Sequence, residues 1–315
     1  MTDRWTPLQL EPLLHWIAGR TGLVHDEQRH DAAVAAVEQL AKRTSLSDPR
    51  ALRRRLEADS GALDDFLAEL TIGETYFLRD PKQMAVIREE VLPDVAAHRG
   101  ERGLRLWSAG CSTGEEPYSL AILLKEHGLG TGAEVLGTDL SRARLAVARR
   151  GRYRAWSFRG VPDEVRDRYF HPAGSEWELS PAIRAAVDFR YLNLVEDRFP
   201  SLSTGVWGMD LILCRNVLIY LDADSRRQVV RKLFDSLAEG GWLLLGASDP
   251  LVANEIPAEV VVTAAGLAYR RSGRYARRAA PPPPAEPPRY EPTEPEESPV
   301  PPVPLPAPVP VPDLE

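Results

Sequence analysis

The chain has 315 residues, 43% of them hydrophobic and 27% charged, which suits one or two domains with a buried core and a polar surface. Its net charge of −7 gathers in residues 279–315, where seven acids face one base; residues 1–278 are left at −1, and no nucleic-acid footprint is indicated. No stretch nears the roughly 20 apolar residues of a membrane-spanning helix, and Cys111 and Cys214 suit neither a disulfide framework nor zinc, so a cytoplasmic protein holding no metal is expected.

Met1 to Leu10 carries no apolar run after a basic start, so no secretion signal is read. Leu8, Leu10, Leu13, Leu14 and Ile17 recur at helical spacing, and Gly19 and Gly22 are expected to end that helix. Ala32 to Leu40 reads as a second amphipathic run. Ser47-Asp48-Pro49 supplies an N-cap and a first-turn proline for a helix toward Leu56, and Asp64 to Leu70 reads as a short fourth helix. A helical domain is thus expected over residues 1–70. It shows no catalytic constellation, only a basic face of Arg50, Arg53, Arg54 and Arg55 in a region of 9 bases and 12 acids.

From Leu104 the pattern alternates. Leu104 to Ala109 is a strand running into Gly110-Cys111-Ser112-Thr113-Gly114, and Glu115 to Glu126 follows as a helix. Glu134 to Thr138 is a strand ending at Asp139, with Ser141 to Arg150 helical behind it. Val187 to Leu192, Met209 to Cys214 and Trp242 to Gly246 read as further strands, and Ala223 to Ala238 as a long helix. Val260 to Thr263 and Leu267 to Arg271 suggest a closing hairpin around Ala265-Gly266. Strands separated by helices imply a parallel sheet with right-handed crossovers. Residues 279–315 hold 16 of the 28 prolines, so this tail cannot pack a core and favours polyproline II, as a spacer or a docking site for a proline-recognising domain.

In an open α/β sheet, ligands bind at the carboxyl ends of the strands. Gly110 and Gly114 allow close approach of a ligand to the backbone, and Asp139, 29 residues after Gly110, can accept both ribose hydroxyls of a nucleoside. The loop departs from a dinucleotide pattern: Ser112 stands where its second glycine would be, and Glu115 and Glu116 open the helix. Two carboxylates there repel a diphosphate and favour the ammonium and sulfonium of S-adenosylmethionine. Their alternative role is to complement the helix dipole.

Three segments carry a resemblance. They are Glu74-Thr75-Tyr76-Phe77-Leu78-Arg79-Asp80-Pro81, Trp107 through Ser119, and Cys214-Arg215-Asn216-Val217-Leu218-Ile219-Tyr220. In order and spacing they resemble the chemotaxis-receptor glutamate methyltransferases, the CheR family, over roughly residues 5–272. The resemblance implies a class I, Rossmann-like methyltransferase sheet over 71–274. It adds a small N-terminal all-α domain that docks the receptor, an antiparallel β insertion near 166–190, and a proline-rich tail or linker over 275–315. It implies that Thr75 and Arg79 approach the methionine end of the cofactor, that Glu115 and Glu116 form the acidic pair of its loop, and that Asp139 takes the ribose. Asn193 and Leu194 match adenine-side contacts, Arg215 and Asn216 match residues beside the methyl donor, and Tyr220 matches an active-site tyrosine.

Departures are visible. Gly73 stands where the family commonly has asparagine, so a cofactor hydrogen bond is expected to be missing or supplied by backbone. Gly246-Ala247-Ser248-Asp249 stands where a histidine and a glutamate are usual. The turn around Ala173-Gly174-Ser175 is shorter than in members that grip a receptor's C-terminal peptide, so no such tether is expected.

The implied reaction is methyl transfer from S-adenosylmethionine to glutamate carboxylates of a chemoreceptor-type protein, leaving S-adenosylhomocysteine. With a reference pKa of about 4.3, such a carboxylate is already the nucleophile and needs no general base. Arg79, Arg215 and Tyr220 are then expected to position and polarise rather than move protons. The expected partner is the receptor alone, with no nucleic acid and no membrane insertion, for a monomer whose tail links to other modules or partners. Two alternatives stay open: a scaffold that binds the cofactor without turnover, and an enzyme acting on small molecules.

Overall fold

The strand runs read from Leu104 onward assemble into one seven-stranded sheet in a computed structural model that describes residues 7–22, 27–46, 48–59, 61–63, 66–67, 73–99 and 103–272. In chain order the strands are β1 (Arg105–Ala109), β2 (Glu134–Asp139), β3 (Arg152–Tyr153), β4 (Phe170–Ala173), β5 (Glu176–Leu179), β6 (Val187–Tyr191), β7 (Met209–Cys214), β8 (Leu237–Leu245), β9 (Glu259–Thr263) and β10 (Gly266–Arg270). The main sheet runs β6-β2-β1-β7-β8-β10-β9. Its first five strands are mutually parallel, and β10 and β9 close one edge antiparallel.

Helices cover both faces, so the central strands are buried throughout. All six residues of β7 are buried, as a parallel strand covered on two sides requires. The pleat sends Leu106, Leu211 and Leu213 to one core with Ile87, Val91 and Leu120, and Trp107, Ile212 and Cys214 to the other with Val229 and Leu233. Strand order reverses about β1: one half continues to β2 and β6, the other to β7 and β8. The crevice between the carboxyl ends of β1 and β7 is therefore the topological switch point.

Most boundaries fall where the residue pattern puts them. The helices Glu115–Glu126 and Arg142–Arg150 and the closing hairpin are present, and Asp48 caps the helix Pro49–Ala58 by accepting from Arg50 N–H at 3.0 Å. Gly19, however, does not end the first helix, which runs Pro7–Thr21; Gly22, at φ +66°, does. Of the fourth helix expected over Asp64 to Leu70, residues 66–67 are helical, as are 61–63, and the remainder lies outside the described residues, as does the tail. β8 begins at Leu237, ahead of the expected Trp242, because the preceding helix stops at Ser236.

The insertion differs in extent. The three-stranded sheet β3-β5-β4 spans residues 152–179; Val187–Tyr191 belongs to the edge of the main sheet instead, and Arg152–Tyr153 joins from upstream. An unpredicted helical segment, Pro81–Val86 continuing through a wide turn at Ile87–Val91 into Leu92–Arg99, leads into β1. No helix among the described residues is long and apolar enough to cross a membrane.

Candidate active site

The loop after β1 is wound by three left-handed residues, Gly110 (φ +77°), Ser112 (φ +51°) and Gly114 (φ +93°). A Cβ on Gly110 would meet Val217 Cγ2 at 2.5 Å, and one on Gly114 would meet Ala148 Cβ at 2.7 Å, so both space and conformation demand glycine. The amides of Gly110 and Cys111 both donate to Thr138 O at 2.8 Å, which ties the loop to the end of β2. Asp139 sits buried there, accepting from Ser112 N–H at 2.7 Å and Ser141 N–H at 2.8 Å. Burial pushes its carboxyl above the ordinary range, against the pull of these donors.

The two glutamates that open the next helix diverge. Glu116 faces the crevice, accepting from Ser108 Oγ at 2.7 Å and pairing with Arg215 at 3.1 Å. Glu115 turns to the other side, where it is buried and accepts from Thr113 Oγ1 at 2.7 Å and Ser157 Oγ at 2.9 Å. Burial raises its carboxyl pKa. Glu115 braces the loop against the small β insertion, and Tyr153 helps by donating its hydroxyl to Thr113 O at 2.9 Å.

Arg215 leaves the end of β7 and is 3% exposed, so its guanidinium would be costly without partners. It donates to Glu116 and, at 2.7 Å, to Arg79 O, which fastens the linker to the sheet. Among the described residues its Nε has no hydrogen-bond partner. The Arg79 guanidinium donates to Glu74 O at 2.8 Å and lies 5.7 Å from the Tyr76 ring. Asn216, at φ +58°, is held by its own N–H donating to Asp249 at 2.6 Å; the same carboxylate accepts from Gly246 N–H and Ile219 N–H. The departure at Gly246–Asp249 thus contributes a buried acid that shapes the loop carrying Arg215, Asn216 and Tyr220.

These groups surround a cavity of about 380 Å³, within the range of small-molecule sites. Thr75, Arg79, Gly110, Glu116, Asp139, Asn193, Leu194, Arg215, Asn216 and Tyr220 all line it, while Glu115 and Gly114, also singled out in the sequence, do not. Asn193 lines it with a committed side chain: its amide donates to Arg20 O at 2.9 Å, and its oxygen accepts from Val195 N–H and Glu196 N–H. The sequence reading missed Thr21 and Arg144 as lining residues, and it noted Asp249 only as a departure, not as the acid that holds the Asn216 loop. Cys111 and Cys214 are buried free thiols whose pKa values burial pushes up, so neither is a ready nucleophile. Among the described residues no group of His, Cys, Asp and Glu is arranged to hold a metal.

The donor set fits S-adenosylmethionine. The glycine cradle is already closed to side chains, one carboxylate stands at the second strand's end and another beneath the loop, and a buried guanidinium nitrogen is left over for a ligand.

Comparison with known proteins adds three observations. Residues 73–266 match the family described as CheR methyltransferase, SAM binding domain. The chain is 34% identical over 260 residues to chemotaxis protein methyltransferase 1 of Pseudomonas aeruginosa, covering 79% of this chain and 92% of that protein. It is 30% identical over 273 residues to chemotaxis protein methyltransferase Cher2 of Pseudomonas putida, covering 84% and 98%.

Proposed function

The chain belongs to the CheR methyltransferase family, and on that premise we propose that it moves the methyl group of S-adenosylmethionine onto glutamate side chains of chemoreceptor-type proteins in the cytoplasm. The products are a glutamate methyl ester and S-adenosylhomocysteine. The observation that carries the reading is the convergence of Glu116, Asp139, Arg215 and Tyr220, from the end of β2 and the segments that follow β1 and β7, on one cavity at the switch point.

When bound, the cofactor supplies an electrophilic methyl carbon on a sulfonium. Everything else falls to the protein. Asp139 holds the ribose hydroxyls, and Glu116 presents negative charge to the cationic part of the ligand. The incoming carboxylate is the nucleophile as it arrives, so the residues need only strip its water and aim it. Arg79 and Arg215 draw the anion in, Tyr220 offers a hydroxyl to orient one oxygen, and no metal is required. The ion pair of Arg215 with Glu116 keeps that guanidinium fixed before substrate arrives, which is the preorganisation that makes electrostatic stabilisation effective. The helical residues preceding the linker dock the receptor, and the enzyme acts as a monomer.

The test is transfer of tritiated methyl from S-adenosylmethionine to receptor, followed by base treatment. Label released as volatile methanol from the receptor band is the expected result. Binding without transfer, or label in a small product, would overturn it.

A further inference from the structure

The cavity is sized for a cofactor and one side chain, not for the polypeptide that brings the target glutamate. At about 380 Å³ it falls toward the small end of small-molecule sites, so the remainder of the substrate must lie on its rim. Glu74, Thr75 and Arg79 form the lining on the linker side. Outward from Glu74 comes the Arg159 guanidinium, which pairs with that carboxylate at 2.7 Å. Beyond it stands Trp156, whose ring centroid lies 4.3 Å from the same guanidinium.

Trp156 is 66% exposed, which is unusual for a side chain that folded proteins mostly bury. Its ring adds little to the core, yet it is not loose. Arg159 donates to Trp156 O at 2.8 Å and also lies 3.8 Å from the Tyr76 ring. Next along the chain, Ser157 O accepts from Phe77 N–H at 2.9 Å, and Ser157 Oγ donates to Glu115 at 2.9 Å. Phe158 stacks on Phe77 with ring centroids 5.4 Å apart. The short turn Ala155–Phe158 is thus tied to the linker and, through Glu115, to the cofactor loop, while the indole is left facing water.

A large ring already held in place, beside an arginine, has the composition of an interface hot spot, and little ordering remains for binding to impose. The chemistry of its occupant follows from what is already engaged. Glu74 answers the charge of Arg159, so a second carboxylate finds no unpaired guanidinium there. A cation on the indole would meet the guanidinium already beside it. An apolar side chain meets neither obstacle. Resting on the function proposed above, we propose that the Trp156 indole, held by Arg159, takes an apolar side chain of the substrate polypeptide beside the glutamate being methylated. Trp156 is then a specificity-determining residue that acts on the polypeptide and leaves the cofactor untouched.

Methyl-transfer kinetics with varied receptor concentration test this. Trp156→Ala should raise KM for receptor about ten- to thirtyfold, the scale of a hot-spot truncation. Both kcat at saturating receptor and the affinity for S-adenosylhomocysteine should stay within about twofold, the pattern of binding lost equally from ground and transition states. Trp156→Phe keeps an aromatic face and should recover most of the loss. A second measurement reads the ring itself: acrylamide quenching of tryptophan emission should differ between the unmodified protein and Trp156→Phe, and receptor should shrink that difference. If Trp156→Ala is poorly folded, the quenching arm decides. An unchanged KM, or a quenching difference that receptor leaves intact, would overturn the assignment. So would shielding of the ring by rising concentrations of the protein alone, which would give this face to a second copy. Absence of methyl transfer by the unmodified protein would instead remove the function on which the assignment rests.

Discussion

The cavity has two walls built on different terms. The sheet-edge wall, with Asp139, Glu116 and Arg215, is buried or nearly so, and each charged group is fixed by backbone donors or an opposite charge. The linker wall, residues 73–80, is anchored by one deeply buried ring, Phe77, in an aromatic cluster with Tyr153, Phe158 and Phe170. Its polar groups are half exposed. The guanidiniums of Arg79 and Arg159 lie 5.7 and 3.8 Å from the Tyr76 ring, and Glu74 pairs with Arg159 at 2.7 Å. Rigid, desolvated charge suits a small cofactor that is always the same. A wall of stacked, solvated side chains on one apolar anchor suits a polypeptide whose shape varies. The walls meet at the hydrogen bond from Arg215 to Arg79 O, a backbone contact that side-chain substitutions in the linker leave intact.

That contrast can be broken at several points. Arg215→Ala should do the most damage, because it strands Glu116 as an uncompensated charge; removing one partner of a buried pair costs about 3–5 kcal/mol. We expect roughly a thousandfold loss of kcat/KM in the methyl-transfer assay, with a lowered melting temperature. Asp139→Asn should weaken S-adenosylhomocysteine about ten- to hundredfold by calorimetry, since a charged acceptor is lost. Arg79→Ala should lower kcat about tenfold while weakening S-adenosylhomocysteine less than Asp139→Asn does, since its guanidinium stands on the more exposed wall. A loss of affinity as large as that of Asp139→Asn would mean that the two walls are not separate. Tyr220→Phe should lower kcat by a few-fold, and unchanged turnover would remove its hydroxyl from the mechanism. Glu115→Gln should have the smallest effect. Burial raises the Glu115 carboxyl pKa in the folded state, so the wild type loses stability as pH rises from the ordinary glutamate range through that raised value. The variant escapes this, and its melting temperature should exceed the wild type's at neutral pH, the gap closing below about pH 4.3.

The sheet-edge wall was legible in the sequence because its residues sit where regular strands end. Asp139, Arg215 and Asn216 follow directly from apolar runs whose length and burial leave little freedom. Which glutamate enters the crevice was not legible. Residues 117–124 of the helix behind them are buried on every side, so no polar stripe sets the rotational phase, and adjacent positions differ by about 100°. Thr21 escaped for another reason, since folding across many residues brings it to the cavity with no local pattern to mark it, and the hold of Asp249 on the Asn216 loop likewise shows only in the fold. Asn193 was found by position and lines the cavity, yet its amide also serves as a rivet to Arg20. The small insertion was placed only approximately, since two-residue and four-residue strands carry almost no periodic signal.

The brace between the cofactor loop and the small sheet bears on how the pocket comes into being. The hydrogen bonds from Tyr153 to Thr113 and from Ser157 to Glu115 bridge 40 and 42 positions of sequence. A growing polypeptide that has completed only the glycine-rich stretch therefore owns the motif without the shape. The binding surface matures when the later segment is synthesised and docks behind it, so lesions in that segment should surface as poor cofactor retention in a protein whose every ligand-touching residue is intact.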